Sequence, residues 1–220
     1  MKLTFENYLN DQIDPELLVI YPGRFQPAHK NHAKVYNFLV TKFPYASVFI
    51  STSNKVAPPR SPFSFDEKKR MLVLAGVPED KIIQTSNPYQ ALEITKKFNP
   101  ATYKLIFAVG GKDMDPAAPR FNFLPTKKGD AYFKPLSNIK SITPQSIGEL
   151  YSFDKHGYVA TTPTYNFKLN ITGVAVPIKG ASEIREIYRT ASDLGKKEII
   201  TQLYGEFSED IYHLFNNKLI

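Results

Sequence analysis

The sequence predicts an α/β fold, built on a parallel sheet with helices on both faces. From residue 17 to about residue 111, apolar runs typical of buried strands alternate with amphipathic helical patterns. Short turns separate these segments, and such alternation is typical of parallel strands joined by crossover helices. With 220 residues and 42% hydrophobic content, the chain can bury one sizeable core.

Composition narrows the class of protein. The chain has no cysteine, which excludes disulfides and thiolate metal sites. No apolar run approaches the roughly 20 residues of a membrane span, and the acidic, broken N-terminus does not have a signal-peptide pattern. We therefore expect a cytoplasmic protein that does not bind membranes. The formal charge of +7 favours an anionic partner, and the spread of basic residues along the chain favours a nucleotide over a nucleic acid.

The first half of the chain supplies the expected sheet and its crossover helices. Residues 1–14 form a short amphipathic lead. The expected strands are LLVIY (17–21), SVFISTS (47–53), KIIQT (81–85) and YKLIFAVGG (103–111). The expected helices are HAKVYNFLVTKF (32–43), SFDEKKRMLVLAG (64–76) and a segment from Asn87 and Pro88 to about Phe98. The second helix begins with a Ser64/Glu67 capping box and can end at Gly76. Together they predict a Rossmann-like sheet, whose ligands bind at the carboxyl ends of the strands.

The second half changes in character. Residues 119–168 are rich in proline and aromatic side chains and predict an insertion of loops and short strands. Strand patterns return at GYVATTP (157–163) and FKLNITGVAVPI (167–178). The C-terminal pattern is helical, with an interruption expected at Gly195. We expect an α/β domain over 15–190 and a C-terminal helical segment over 191–220.

The turn YPGRFQPAHKNH (21–32) has the features of a phosphate site. Gly23 can let the backbone approach a ligand directly after a strand. His29 and His32 lie at the start of the next helix and share one face if both are helical. Exposed amides and the helix dipole favour anions there, and imidazoles can donate hydrogen bonds to phosphoryl oxygens. An ordinary turn with two surface histidines explains the pattern equally well, whereas zinc lacks a third ligand.

Three segments also resemble a known family. GRFQPAHKNH (23–32) is similar to the GRFQPxHxGH signature of the nucleotidylyltransferase superfamily, in the nicotinamide-mononucleotide adenylyltransferase and cytidylyltransferase-like branch. PFSFDEKKRM (62–71) resembles the Asn-Pro-Phe-Thr-x-x-Glu-Arg helix start of that branch, and GASEIR (180–185) resembles its Ser-Gly-Thr-x-Ile-Arg motif. The order and spacing agree with the family, so the likeness spans about residues 17–190.

The resemblance implies roles for individual residues. His29 and His32 would contact a nucleoside triphosphate and stabilise its pentacoordinate transition state, while Ser182 and Arg185 would hold the β- and γ-phosphates. Independently, Ser182 is expected to cap its helix and the Arg185 guanidinium suits phosphate. The other nucleotide-binding candidates in the first motif are Gly23, Arg24, Phe25, Gln26 and Asn31.

The sequence departs from the family at three places. Asn31 replaces the glycine between the histidines, where its side chain can crowd the nucleotide or add a hydrogen bond. Lys68 lies near the family arginine and keeps the charge without the planar fork. Gly180 and Ala181 replace the usual Ser-Gly pair.

Two further strand ends are candidates. ISTSNK (50–55) ends a strand with hydroxyls and Lys55, which can contact phosphates, although a polar loop is an equal explanation. VGGKDMD (109–115) resembles a nucleotide-contacting loop of the family, which makes Gly110, Gly111 and Asp113 candidates. A tight turn is the commoner reason for such a glycine pair.

These features predict a nucleotidylyltransferase that transfers a nucleoside monophosphate from ATP or CTP to a phosphorylated acceptor and releases pyrophosphate. Nicotinamide mononucleotide is the favoured acceptor. Mg²⁺ is the expected cofactor, held mainly by substrate oxygens and water. No general base is required, because the attacking phosphate is already anionic.

Two alternatives remain open. One is cytidylyl transfer to a phospho-alcohol or phospho-sugar. The other is a nucleotide-binding or virion-associated module without turnover, since the layout of the sequence resembles cytidylyltransferase-like proteins of tailed phages. A phage origin would place the protein in the host cytoplasm or on a virion. The aromatic insertion and the C-terminal helix can form a homo-oligomer interface or simply cover the core.

Overall fold

A computed structural model describes residues 16–115, 120–125, 127 and 129–220. The predicted lead over residues 1–14 lies outside these described residues. Within them, no helix is both long and apolar enough to cross a membrane.

Six strands form the main sheet, and every neighbouring pair in it is parallel. Their order is β3-β2-β1-β4-β6-β5. The strands are β1 (Leu17–Pro22), β2 (Ser47–Thr52), β3 (Ile82–Gln84), β4 (Lys104–Val109), β5 (Phe133–Pro135) and β6 (Gly157–Thr161). Strands β7 (Phe167–Ile171) and β8 (Val174–Ile178) form a separate antiparallel hairpin. The predicted Rossmann-like parallel sheet is confirmed.

Seven α-helices are present in the described part of the chain. They are α1 (Lys30–Lys42), α2 (Phe65–Leu74), α3 (Leu92–Thr95), α4 (Pro144–Gly148), α5 (Ala181–Thr190), α6 (Asp193–Tyr204) and α7 (Glu209–Leu219). Alternate residues of β1 enter two cores, because successive side chains of a strand point to opposite faces. Val19 and Tyr21 join the larger core with α1, α2 and the C-terminal helices, whereas Leu18 and Ile20 join a smaller, aromatic core.

Strand β1 lies at the point where the strand order of the sheet reverses. This strand is buried along its whole length and pairs with β2 on one side and β4 on the other. The chain leaves β1 towards β2 and later returns to β4 on the opposite side, so the strand order reverses between β1 and β4. In such sheets a crevice opens outside the carboxyl ends of these two strands.

Three local expectations need correction. The third helix covers only Leu92–Thr95, because Ala91 adopts a left-handed conformation (φ 48°) and blocks a helix from Asn87. The C-terminal helices separate at Ser192, which caps α6 through the Gly195 amide, and Gly195 itself lies inside that helix. The segment 119–168 also contributes β5 and β6 to the main sheet.

The C-terminal helices support the turn after β1. The Tyr204 hydroxyl of α6 donates a buried hydrogen bond of 2.8 Å to the Ala28 carbonyl, 176 residues away in sequence. At the other end of this layer, Lys218 of α7 forms an ion pair of 3.1 Å with the partly buried Glu67 of α2. The α/β domain and the C-terminal helices therefore share one core.

The Tyr204 bond can be tested by a single change. Tyr204→Phe removes the hydroxyl and leaves the Ala28 carbonyl buried without its donor, which is expected to lower the free energy of unfolding by about 1 to 2 kcal/mol. Urea denaturation measures the loss, and Tyr45→Phe, at an exposed tyrosine, is the control. Equal stability of the two variants would contradict this role for Tyr204.

Candidate active site

A cavity of about 860 Å³ opens at the carboxyl ends of β1 and β4. Its walls come from the turn after β1, the start of α1, the loop after β4, the segment between β6 and β7, and the start of α5. The predicted site residues on this wall are Gly23, Arg24, Phe25, Gln26, His29, Asn31, His32, Gly110, Gly111, Asp113, Ser182 and Arg185. Lys55 is not on it and is exposed on the loop after β2.

The two histidines form a reciprocal cap at the start of α1. His29 is the N-cap residue with an extended backbone, and its Nδ1 accepts a hydrogen bond of 3.3 Å from the Asn31 amide. His32 Nδ1 accepts one of 3.1 Å from the His29 amide, and the ring centroids lie 4.0 Å apart. Since each Nδ1 is an acceptor, the neutral rings carry their protons on Nε2. Only His32 is helical, so the shared-face geometry expected for two helical residues is replaced by this cap.

Burial keeps both rings neutral. It lowers the pKa of His32 to about 4. Burial also lowers the pKa of His29 well below its usual range, with smaller contributions from His32 and Lys30. At pH 7 the pair therefore presents two neutral Nε2–H groups as hydrogen-bond donors.

The β7 hairpin fixes His29 from the opposite side. Its ring stacks on Phe167 with centroids 5.4 Å apart and an interplanar angle of 5°. The Asn31 side-chain amide, which is nearly buried, donates to the Tyr165 carbonyl at 3.4 Å. Asn31 thus links the start of α1 to the segment before β7.

Gly23 lines the cavity and also has a packing role. A Cβ atom at this position would lie 2.7 Å from Cζ of Phe25, so glycine leaves room for that ring. Phe25 is buried and packs edge-on against His32, with centroids 5.0 Å apart. The absent side chain therefore serves the packing of the turn, and the ring it admits supports His32.

Gln26 connects three segments of the site. Its buried side chain donates to the Phe63 carbonyl at 2.7 Å and accepts from the Phe63 amide at 2.9 Å. Its own carbonyl accepts a bond of 2.5 Å from Nη1 of Arg185. Arg185 thus holds the turn with one nitrogen, and a guanidinium has further N–H groups for a ligand.

The N-terminus of α5 faces the cavity, but Ser182 does not cap it. Gly180 is the N-cap residue, and no side chain of the described residues makes a cap hydrogen bond there. Ser182 is the second residue of α5. It is exposed and also lines the cavity. The first amides of an uncapped helix and its dipole suit an anion.

The loop after β4 forms another part of the cavity wall. Asp113 accepts a hydrogen bond of 2.9 Å from the Tyr89 hydroxyl and lies 3.7 Å from Nε of Arg120. Lys112 Nζ donates to the Lys179 carbonyl at 3.2 Å and so connects this loop to the start of α5. The candidates Gly110 and Gly111 lie between these contacts and β4.

Positive charge dominates the lining. Its basic side chains are Arg24, Arg60, Lys112, Lys179 and Arg185, and its one carboxylate among the described residues is Asp113. Lys68 does not contribute, because it is buried behind β2, where Nζ donates to Thr52 Oγ1 at 2.9 Å and to the Ser53 carbonyl. Burial lowers the pKa of Lys68 to about 8. Lys68 therefore supports the end of β2 instead of carrying charge to a ligand.

Sequence reasoning missed several lining residues. Arg60, Tyr89, Lys179 and Phe167 reach the cavity from loops or strand ends whose position depends on the fold. The segment TTPTY (161–165), which follows β6, carried a usable signal, since it ends a strand with hydroxyl groups.

The histidine pKa values predict a pH-dependent stability. The unfolded chain takes up protons on His29 and His32 below about pH 6.5, whereas the folded protein resists this uptake down to about pH 4 at His32. The free energy of unfolding is therefore expected to fall as pH drops from 6.5 to 4. Denaturant unfolding of the wild type and His32→Asn, whose amide oxygen can still accept the His29 amide, measures this; identical pH slopes would contradict it.

The hydrogen bond from Asn31 to Tyr165 is predicted to restrain the segment between β6 and β7, which forms one wall of the cavity. Asn31→Ala removes the donor to Tyr165, and amide hydrogen exchange over residues 162–168 is expected to accelerate by up to about 10-fold, because a neutral hydrogen bond contributes about 1 kcal/mol. Asn37→Ala, at an exposed position of the same helix, is the matched control. Unchanged exchange in Asn31→Ala would show that the contact does not hold this wall.

The sequence matches none of the curated proteins. Among solved structures, the chain is similar to the Plasmodium falciparum nicotinic acid mononucleotide adenylyltransferase complexed with APC, with 14% identity, a TM-score of 0.48, and coverage of 91% of this chain and 98% of that one. The family model described as cytidylyltransferase-like matches residues 20–140, from β1 to the segment after β5. Because this match covers more than half of the chain, the protein belongs to the cytidylyltransferase-like family and is a nucleotidylyltransferase.

Proposed function

We propose that the protein transfers a nucleoside monophosphate from ATP or CTP to a phosphorylated acceptor and releases pyrophosphate, with nicotinamide mononucleotide as the favoured acceptor. The observation that carries this proposal is the pair of neutral Nε2–H donors in the same cavity as an uncapped helix N-terminus and Arg185. Both lie in a cavity with five basic side chains and one carboxylate among the described residues. Such a site suits two anionic substrates.

The reaction follows from this arrangement. An oxygen of the acceptor phosphate attacks the α-phosphorus, a new P–O bond forms, and the bond to the bridging oxygen of the β-phosphate breaks. Pyrophosphate leaves with the electron pair. The Nε2–H groups of His29 and His32 donate to oxygens that gain charge in the transition state, while the α5 N-terminus and Arg185 hold the β- and γ-phosphates.

Mg²⁺ fits this scheme as a companion of the nucleotide. The described residues contain no cluster of three His, Asp or Glu side chains that could hold a metal. The cavity carboxylate of Asp113 already contacts Tyr89 and Arg120. We therefore propose that Mg²⁺ is coordinated mainly by triphosphate oxygens and water and neutralises their charge.

The two candidate reactions differ in their acceptor and in their nucleotide base. The similarity of GRFQP and PFSFDEKKR to the adenylyltransferase branch favours nicotinamide mononucleotide. The family model, described as cytidylyltransferase-like, favours cytidylyl transfer to a phospho-alcohol or phospho-sugar. Both use the same phosphate-binding residues, so the acceptor and the base must be identified by assay.

The function is tested by pyrophosphate release. The protein is incubated with each nucleoside triphosphate, Mg²⁺ and a panel of phosphorylated acceptors, including nicotinamide mononucleotide and phosphocholine. We expect release that depends on one triphosphate and one acceptor. Nucleotide binding without release across the panel would instead favour the binding or virion-associated module.

Variants separate the residues inside the cavity from those outside it. His32→Ala removes a transition-state donor and is expected to lower kcat by about 100- to 1,000-fold. Lys55→Ala, at an exposed residue outside the lining, is expected to change kcat less than about 2-fold. Full activity of His32→Ala with an intact fold would remove the histidine pair from the mechanism.

A further inference from the structure

Arg60 is a cavity residue to which neither the sequence motifs nor the proposed mechanism gives a role. It lies in the loop between β2 and α2, and its side chain is exposed and lines the cavity. Within the described part of the chain, its guanidinium makes no hydrogen bond or ion pair with another side chain. A long cationic side chain in this situation is available to a ligand.

The loop that carries Arg60 is held in place on both sides. The Ala57 amide donates to the Ser61 carbonyl at 2.7 Å, and the Ser61 amide donates to the Ala57 carbonyl at 2.8 Å. These paired bonds close a tight loop with Arg60 next to its base. Further along, the Phe63 backbone binds the Gln26 side chain on both its amide and its carbonyl. The backbone at Arg60 is therefore fixed relative to the turn between β1 and α1.

The charges around Arg60 indicate the sign of its ligand. Burial lowers the pKa of Arg185, and the positive charges of Arg189, Arg24 and Arg60 lower it further. Three of these guanidiniums, those of Arg24, Arg60 and Arg185, line the same cavity. In the described residues no carboxylate pairs with Arg24 or Arg60. Three mutually repelling cations are stabilised when a polyanion lies between them.

We propose that Arg60 binds the β- and γ-phosphates of the nucleoside triphosphate together with Arg185. Both arginines are anchored through Gln26, Arg185 through the Gln26 carbonyl and the Arg60 loop through the Gln26 side chain. In the proposed complex, both side chains contact the terminal phosphates bound at the start of α5. This inference rests on the proposed function, which supplies the ligand. It gives Arg60 the role of binding the pyrophosphate leaving group.

The consequence for the reaction concerns the leaving group. When the bond between the α-phosphorus and the bridging oxygen breaks, the electron pair passes to pyrophosphate. Guanidinium groups bind phosphate oxygens through paired, charge-assisted hydrogen bonds. Arg60 and Arg185 stabilise the charge that develops there.

Binding of a ligand series tests this assignment. Titration calorimetry measures the affinity of the wild type, Arg60→Ala and Arg60→Lys for inorganic tripolyphosphate, for the preferred nucleoside triphosphate and for its monophosphate. Arg60→Ala is expected to weaken tripolyphosphate and triphosphate about 10- to 100-fold and to leave the monophosphate unchanged. Arg60→Lys keeps the charge and loses the fork, so an intermediate loss is expected.

The matched control is Arg70→Ala, which removes an exposed arginine of α2 that is not on the cavity wall. It should bind all three ligands as the wild type does. Equal weakening of monophosphate and triphosphate by Arg60→Ala, or no weakening of tripolyphosphate, overturns the assignment. So does a wild type that does not bind tripolyphosphate.

Failure of this inference can be distinguished from failure of the proposed function. Tripolyphosphate binding that depends on Arg60, in a protein that releases no pyrophosphate with any acceptor, supports the Arg60 site and counts against the transfer reaction. Turnover that is unaffected by Arg60→Ala, together with unchanged tripolyphosphate binding, supports the reaction and removes Arg60 from it.

Discussion

The site depends on one constraint, which is that the turn between β1 and α1 is held by buried hydrogen bonds from distant segments. Gln26 binds the Phe63 backbone, Arg185 binds the Gln26 carbonyl, and Tyr204 binds the Ala28 carbonyl, across 37, 159 and 176 residues of sequence. A neutral bond contributes only about 1 kcal/mol and one from a charged donor such as Arg185 about 1.5 to 3 kcal/mol, but a buried group left without its partner also costs about 1 to 3 kcal/mol. The turn is therefore complete only when the loop after β2 and the C-terminal helices have packed against it.

The fixed turn also determines which cavity residues act as neutral hydrogen-bond donors and which carry positive charge. Backbone amides occupy Nδ1 of His29 and His32, and burial keeps the rings neutral, so these side chains can act only as Nε2–H donors. The positive charge comes instead from arginines and lysines around them. Neutral donors respond to charge that develops during transfer, whereas the cations bind phosphates throughout the reaction. Among the described residues, neither His29 nor His32 forms an ion pair, so the two roles fall on different side chains.

The sequence predicted most of the fold because its signals were local. Hydrophobic runs identified β1 to β4, the Ser64 capping box began α2, and residues of the GRFQPAHKNH and GASEIR motifs line one cavity. The errors arose where distant contacts decide the structure. Ser182 is replaced as cap by Gly180, and β6 inserts between β4 and β5. No local pattern encodes these contacts, and none brings the loop after β2 to the cavity.

The central claim is that this turn and the start of α5 form opposite halves of a triphosphate site. A crystal structure with a non-hydrolysable nucleoside triphosphate and nicotinamide mononucleotide tests it most directly. We expect the α-phosphate to lie within hydrogen-bond distance of Nε2 of His29 and His32, and the terminal phosphates to contact the first amides of α5 and Arg185. Triphosphate bound outside the cavity, or bound within it with neither histidine in contact, would contradict the claim.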